Sequence, residues 1–547
     1  MAFVLKFLEL PPQNQIHGER VVTRWGNRDL YPVPRAEQTY TSLSYFAYWV
    51  TSGITITAWT LGSSMVAYGL TAGQACGAVL IGSVVAGIMA VLCGQAGRNF
   101  HLGYPMMGRA SFGLYGSYFV IIIKSFINLI FFGSQASFGG QAFCLILSAI
   151  FPSFLRLPNT LPESAQITTK NLIGFMLYFV LFVPLIFIPP HRINRYLYPA
   201  FMVICATVAG VLGWAINANH GPGNLVAPSL ALSKSDVAFR MVQGMCSVAS
   251  AWTGAAVRQS DWTRFAKTRN APLASQLTAA PVTITICALV GVLVTSATTS
   301  LYGTVMWNPL VLLQYVQTVQ YSPACRAGTF FAGVGFLSSQ LWVNLTQNTV
   351  STGMDLAGLA PRYISMRRGA LMLAVVGIII QPWRFVSSAN TFLTVLSSFG
   401  VFIAPITGIV VADFWVVRRQ KWKIPDLYLR DGIFWYTWGL NWRAFLCFVI
   451  GAVPSMPGFG AAVSGTAIGN AAARIFQINY FVGLALGFIS FVLINLISPP
   501  PGLGIMEHFA ETTIEGFENP SVTADCSTDD HSKEKGPSVN NYGPSQV

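Results

Sequence analysis

Apolar residues run through this chain in stretches of about twenty, the length at which a helix crosses a ~30 Å hydrocarbon layer. The stretches fall at 43–70, 74–97, 115–151, 171–190, 197–216, 238–257, 274–300, 327–350, 369–382, 391–416, 441–455 and 478–498, with short polar segments between them. Lipid offers no partner to an open backbone, so only helices and closed barrels span it, and runs this long and apolar predict helices. The pattern predicts an all-α polytopic membrane protein of about twelve transmembrane helices. Residues 1–42 are polar and contain proline, and predict a cytoplasmic N-terminal segment. Residues 43–498 predict the transmembrane domain, and 499–547, with their Ser, Asp, Asn and Pro, a disordered cytoplasmic tail.

Composition supports this reading. Only 9% of the 547 residues are charged and 53% are hydrophobic, against roughly 25% charged in a soluble domain. The net charge of +13 raises nucleic acid as a partner, but its distribution argues against one. Numbered from a cytoplasmic N-terminus, the even loops hold sixteen Lys and Arg, among them Arg258, Arg264, Lys267 and Arg269, and the odd loops hold seven. Positive charge on alternate loops marks the cytoplasmic side and places both termini there. The opening MAFVLKFLELPPQNQ lacks the small-residue site of a cleavable signal. Nine cysteines and six histidines form no cluster with metal or redox spacing, so neither metal nor cofactor is expected.

Two apolar spans are interrupted by small and hydroxyl residues. Span 1 carries TSGITITAWTLGSS (Thr51 to Ser64) and span 6 carries CSVASAWTGAA (Cys246 to Ala256), each with a Trp. Such interruptions in corresponding spans suit unwound segments at an inverted-repeat binding site, with repeats of about 43–216 and 238–416 and two further helices. They equally suit close helix packing.

Polar groups inside the membrane are costly, so each one is informative. Lys124 lies within span 3, either facing the bundle interior or reaching for an interface. Asp261, Asp355 and Asp413 fall near the cytoplasmic ends of spans 6, 8 and 10, and no carboxylate falls near the predicted midplane. The midplane polar groups are amides: Gln135 and Gln141 on span 3, and Asn344, Gln347 and Asn348 on span 8. Asn344 and Asn348 are four apart and share a helix face. An amide donates and accepts from one group, which matches the alternating C=O and N–H edge of a uracil- or hydantoin-like ring. Phe131, Phe132 and Trp252 supply ring faces for stacking. Interhelical hydrogen bonding is the plainer role for any one of these amides. The Asn344-Leu345-Thr346 sequon would be buried in the membrane, and no phosphate loop, nucleophile–base pair or zinc spacing supports an enzyme.

The chain also resembles the nucleobase–cation symport-1 family, in its fungal uracil/allantoin/thiamine permease branch. The similarity lies in NRDLYPVP (Asn27 to Pro34), RASFGLYGSYF (Arg109 to Phe119), VPLIFIPPH (Val183 to His191) and SDWTRFAK (Ser260 to Lys267). It continues in GMDLAGLAPRYISMRRG (Gly353 to Gly369), SSFGVFIAPITGIVVADFWVVRR (Ser397 to Arg419) and NWRA (Asn441 to Ala444). The resemblance implies a twelve-span inverted-repeat fold of the LeuT kind with helices 1 and 6 broken. It implies a small heterocyclic substrate carried across the plasma membrane, with Phe131, Gln135, Trp252, Asn348 and, a turn earlier, Asn344 as its binding residues. Three departures stand out. Phe131 replaces a usual Trp, Thr55-Ile56-Thr57 replaces Asn-Pro-Gly, and Arg258-Gln259-Ser260-Asp261 replaces Asn-Ile-Pro-Asp. The Gln-Ser-Asp and Gly353–Leu356 variants look like thiamine-type members; IPPHRIN and TSATTSLYG (Thr295 to Gly303) look like uracil and allantoin members. Sodium-using relatives place hydroxyls just before the first span-8 Asn, where this chain has Trp342 and Val343. The expectation is therefore proton-coupled import of a uracil, allantoin or uridine-class compound, with Asp29, Lys124, Asp261 and Asp355 as candidates for gating or proton coupling. The alternatives are a thiamine or nicotinamide riboside permease, or a non-transporting nutrient sensor. Oligomeric state is not legible.

Overall fold

The structure, a computed structural model, describes residues 9–10, 22–224 and 232–508. Helices follow the apolar stretches closely. Span 1 comprises Ser42–Gly53 and Ile56–Ala67, and spans 2 to 5 are Ala72–Phe100, Gly116–Ile150, Thr169–Leu185 and Pro190–Ala218. Span 6 is Lys234–Val257 and span 7 is Ala280–Tyr302. Span 8 runs through Pro323–Val343, a π turn at Asn344–Thr349, and Val350–Leu359. Spans 9 and 10 are Met366–Ile379 and Ala389–Val411; span 11 joins Trp442–Ala452 to Met456–Ser464, and span 12 is Asn479–Ile497. Among the described residues eight helices are long and apolar enough to cross a membrane unaided. The remaining spans are broken, shorter or more polar, and are completed by packing.

The spans pack as two groups. Spans 1, 2, 6 and 7 pair among themselves, and so do spans 3, 4, 8 and 9. The pairing repeats when five is added to each span number. Contact 1–7 becomes 6–2, contact 3–4 becomes 8–9, contact 5–8 becomes 10–3, and contact 3–8 maps onto itself. That is the signature of two five-helix repeats, and it places spans 1, 3, 6 and 8 at the centre. Close approach of spans 1 and 7 depends on two glycines. A Cβ on Gly62 would lie 2.4 Å from the Ala288 carbonyl oxygen, and one on Gly291 2.4 Å from that of Trp59.

Span 1 breaks where its Ser/Thr/Gly stretch predicts. Ile54 and Thr55 leave helical geometry, and the Thr55 hydroxyl caps the second half by accepting from Ala58 N at 3.1 Å. Span 6 corrects the expectation. It remains helical through Val257 and breaks at Arg258, after the predicted stretch, before a short helix Gln259–Thr263. Its small residues serve packing instead: Ser247 Oγ donates to the Leu393 carbonyl of span 10 at 3.2 Å, and Gly82 of span 2 meets the Met245 carbonyl. Two helices also occupy predicted loops, Tyr104–Phe112 and Pro309–Val319. The second had a readable start signal, Asn308-Pro309, and Asn308 Oδ1 accepts from Leu310 N at 2.9 Å. Of the predicted tail, the stretch to His508 is described, and Glu507 pairs its backbone with Trp422 and Ile424. Residues 509–547 lie outside the described residues.

Candidate substrate site and ion cluster

A cavity of about 30 Å³ sits where the four central spans meet. The broken span 1 contributes Ser52, Thr55 and Thr57; span 3 contributes Phe131 and Gln135. Ala251, Trp252 and Arg258 come from span 6 and its break, and Val343, Gln347 and Asn348 from span 8. The volume holds no more than a few waters, so the walls must part before a ring can enter. Their polar groups hold one another meanwhile. Gln135 Nε2 donates to Thr57 Oγ1 at 2.8 Å, and Gln347 Nε2 donates to Ser52 Oγ. Two acceptors, Gln135 Oε1 and Gln347 Oε1, are buried without partners, an arrangement that costs stability unless something else uses it. Phe131 packs its ring against Phe399 of span 10 at 5.0 Å.

Four of the five predicted binding residues therefore line one cavity. Asn344 stands behind that wall: its Nδ2 donates to the Phe132 carbonyl and to Tyr178 Oη, each at 3.1 Å. Its Oδ1 accepts from Asn348 Nδ2 at 2.9 Å, so Asn344 orients the Asn348 amide from behind. The π turn over these residues is a feature that recurs at functional sites. Gln141, also singled out, lies further along span 3 and accepts from Asn308 at 3.0 Å.

Larger crevices lie at both ends. One of about 270 Å³ is walled by Ser137, Gln141, Trp307 and Trp383 on the odd-loop side. Another of about 240 Å³ is walled by Asp29, His191, Arg264 and Met366 on the even-loop side.

A buried ion cluster lies one to two turns from the cavity. Lys124 Nζ stands 2.9 Å from the Asp355 carboxylate and 3.2 Å from Asp261 Oδ2, with all three side chains out of solvent. Ser351 Oγ donates to Asp261 Oδ2, and Tyr104 N donates to Asp261 Oδ1 at 2.7 Å. Lys124 lies over the Tyr104 ring at 3.9 Å. Buried charges persist only when paired and hydrogen-bonded, and these are. A polar chain joins cluster to cavity: Asn128, one turn after Lys124, donates to Thr352 Oγ1 at 3.0 Å and accepts from Arg258 Nη1 at 3.0 Å.

Asp29 lies elsewhere, in the N-terminal segment. Its Oδ2 accepts from Met366 N at 2.8 Å at the start of span 9, where a carboxylate suits the helix dipole. Burial pushes this carboxyl above its ordinary range, against the pull of the Met366 N–H and of Arg264. Arg264 donates to the Asp29 and Tyr31 carbonyls at 2.6 and 2.5 Å, and Asn27 Nδ2 donates to the Pro361 and Ile364 carbonyls. Arg109 donates to the Trp25 carbonyl at 2.6 Å, and Tyr40 pairs with Phe265 and Lys267. The segment thus straps the even-loop end across both helix groups.

Two crevices around a central site between inverted repeats describe a membrane transporter. Comparison places it further. Residues 32–483 match the family of permeases for cytosine/purines, uracil, thiamine and allantoin. The chain belongs to this family, the nucleobase–cation symport-1 transporters, whose members are permeases and not enzymes. The Aspergillus oryzae transporter aclS is 30% identical over 94% of both chains. Saccharomyces cerevisiae nicotinamide riboside transporter 1 is 33% identical, covering 83% of this chain and 75% of its own. The uracil permease of the same yeast is 29% identical, covering 87% and 76%. Among solved structures, the transporter Mhp1, closed with bromovinylhydantoin bound, shares the fold at a TM-score of 0.71 and 20% identity, covering 90% of this chain and 99% of its own.

Proposed function

We propose that the chain is a proton-coupled secondary transporter that imports an uracil-, allantoin- or uridine-class heterocycle across the plasma membrane by alternating access. The observation that carries this reading is the central cavity, where ring faces and unpaired amide acceptors converge between crevices at opposite ends. Phe131 and Trp252 stack on the ring, Gln135 and Asn348 read its edge, and Gln135 Oε1 and Gln347 Oε1 accept its N–H groups. The basic excess on even loops orients both termini, the Asp29 strap and the ion cluster toward the cytoplasm.

Coupling to protons is supported by the ion cluster. Lys124 on span 3 holds Asp261, which belongs to the other helix group; protonating Asp261 weakens that tie, whereas protonating Asp355 frees the ammonium for Asp261. Hydroxyls are absent where sodium-using relatives carry them, since Trp342 turns to stack on Tyr196 at 5.3 Å and Val343 is apolar. A thiamine or nicotinamide riboside permease is the second reading, favoured by the 33% and 32% identity to yeast carriers bearing those names.

The test is uptake of radiolabelled uracil, allantoin, uridine, thiamine and nicotinamide riboside by permease-deficient cells expressing the chain. Uptake of an oxo-heterocycle supports the first reading and uptake of a cation the second. Substrate-triggered signalling without flux would instead mark a sensor.

A further inference from the structure

Arg258 is the one charged side chain on the cavity wall, and the wall carries no carboxylate. It is 2% exposed. Among the described residues no carboxylate forms a salt bridge with it, because Asp261 and Asp355 are both held by Lys124. Its hydrogen bonding is lopsided. Nη1 alone serves Asn128 Oδ1 at 3.0 Å, the Gln347 carbonyl, and Asn348 Oδ1 at 3.3 Å. The Nε–H is buried without a partner. A cation placed in a binding cavity with an unused donor is a site for an oxygen, and the two orphaned glutamine acceptors beside it call for N–H groups.

We propose that Arg258 sets the charge class of the substrate: a heterocycle that turns a carbonyl or carboxylate oxygen to the guanidinium is taken, and a permanently cationic one is refused. This rests on the transport reading for the identity of the site and narrows its substrate. A ligand cation here would meet a fixed like charge on the wall itself, while the nearest carboxylates, Asp261 and Asp355, lie off that wall and are tied to Lys124. Neutral oxo-heterocycles satisfy all three unpaired groups, and a ring carboxylate adds a charge-assisted bond. The break in span 6 puts the side chain there. Arg258 is the first residue past the helix, so it leaves the loop end and enters the cavity wall.

The test is ligand-induced thermal stabilisation of the purified full-length protein by uracil, allantoin, orotate, thiamine and nicotinamide riboside, beside uptake in cells. Oxo-heterocycles should stabilise the wild type, and the two cations should not. Arg258→Asn should weaken oxo-heterocycle binding about 10- to 100-fold, the loss expected for one charged hydrogen bond. Arg258→Lys should keep part of the affinity, and it guards against a folding defect in the Asn variant. Stabilisation by thiamine or nicotinamide riboside comparable to uracil, or by none of the oxo-heterocycles, overturns the assignment. Binding in the expected order without uptake overturns the transport reading and leaves Arg258 standing; thiamine uptake does the reverse.

Discussion

Lys124 Nζ on span 3 lies 2.9 Å from the Asp355 carboxylate on span 8, and the same ammonium holds Asp261 at 3.2 Å. One cation therefore pairs with two buried anions, and its loss is felt by both. Removing the cation alone leaves both carboxylates uncompensated, which costs about 3–5 kcal/mol for a broken buried pair. Lys124→Met should lower the melting temperature and the surface level of the protein. Adding Asp355→Asn should recover part of that loss. Equal stability of the single and double variants, measured by thermal unfolding, would deny the pairing its structural weight.

Asp355→Asn on its own should flatten the dependence of uptake on external pH while leaving the protein at the surface. Its shape is preserved, one carboxylate oxygen gives way to an amide NH2, and its ability to exchange a proton is lost. An unaltered pH profile would reduce Asp355 to packing or gating.

Gln135→Ala should abolish uptake with normal surface expression. The substitution removes both the Thr57 contact and an orphaned acceptor of the cavity. Asn344→Ala should act differently, because Asn344 reaches the cavity only through Asn348. We expect a raised half-saturation constant of about 5- to 10-fold, with Tyr178→Phe giving a smaller change in the same direction, as befits one hydrogen bond. A complete loss in Asn344→Ala with the protein folded would put that residue against the substrate.

The N-terminal strap should loosen as pH rises. Burial holds the Asp29 carboxyl above its ordinary value of about 3.9, so the docked state keeps a proton that the undocked state releases. Stability from this group is full below the ordinary value and is lost as pH climbs through the raised one. Asp29→Asn removes the titration. The melting temperature of the wild type should fall relative to Asp29→Asn across that interval, and parallel curves would contradict the reading.

Much of the fold was readable because membrane helices are written in long apolar runs; most ends moved by five residues or fewer, although span 5 begins seven residues earlier and spans 8 and 11 each run nine further. That Phe131, Gln135, Trp252 and Asn348 face one cavity was readable because a polar or bulky group among apolar neighbours must be explained. Arg258 was not, since it follows the apolar stretch by one residue and reads as an ordinary loop charge. Its role appears only once the helix is seen to end at Val257. The meeting of Lys124 with Asp261 and Asp355 was likewise hidden, because partners 137 and 231 residues away leave no local pattern. Asn344 shows the converse. Spacing put it on the right face, but spacing cannot say that Tyr178 and the Phe132 carbonyl already occupy its donors.

The most direct measurement of the central claim is initial-rate uptake in permease-deficient cells, at mildly acid and mildly alkaline pH, with and without sodium. The account predicts acid-stimulated, sodium-independent entry of an oxo-heterocycle. Sodium-dependent entry, or no entry of any such compound with the protein confirmed at the surface, would contradict it.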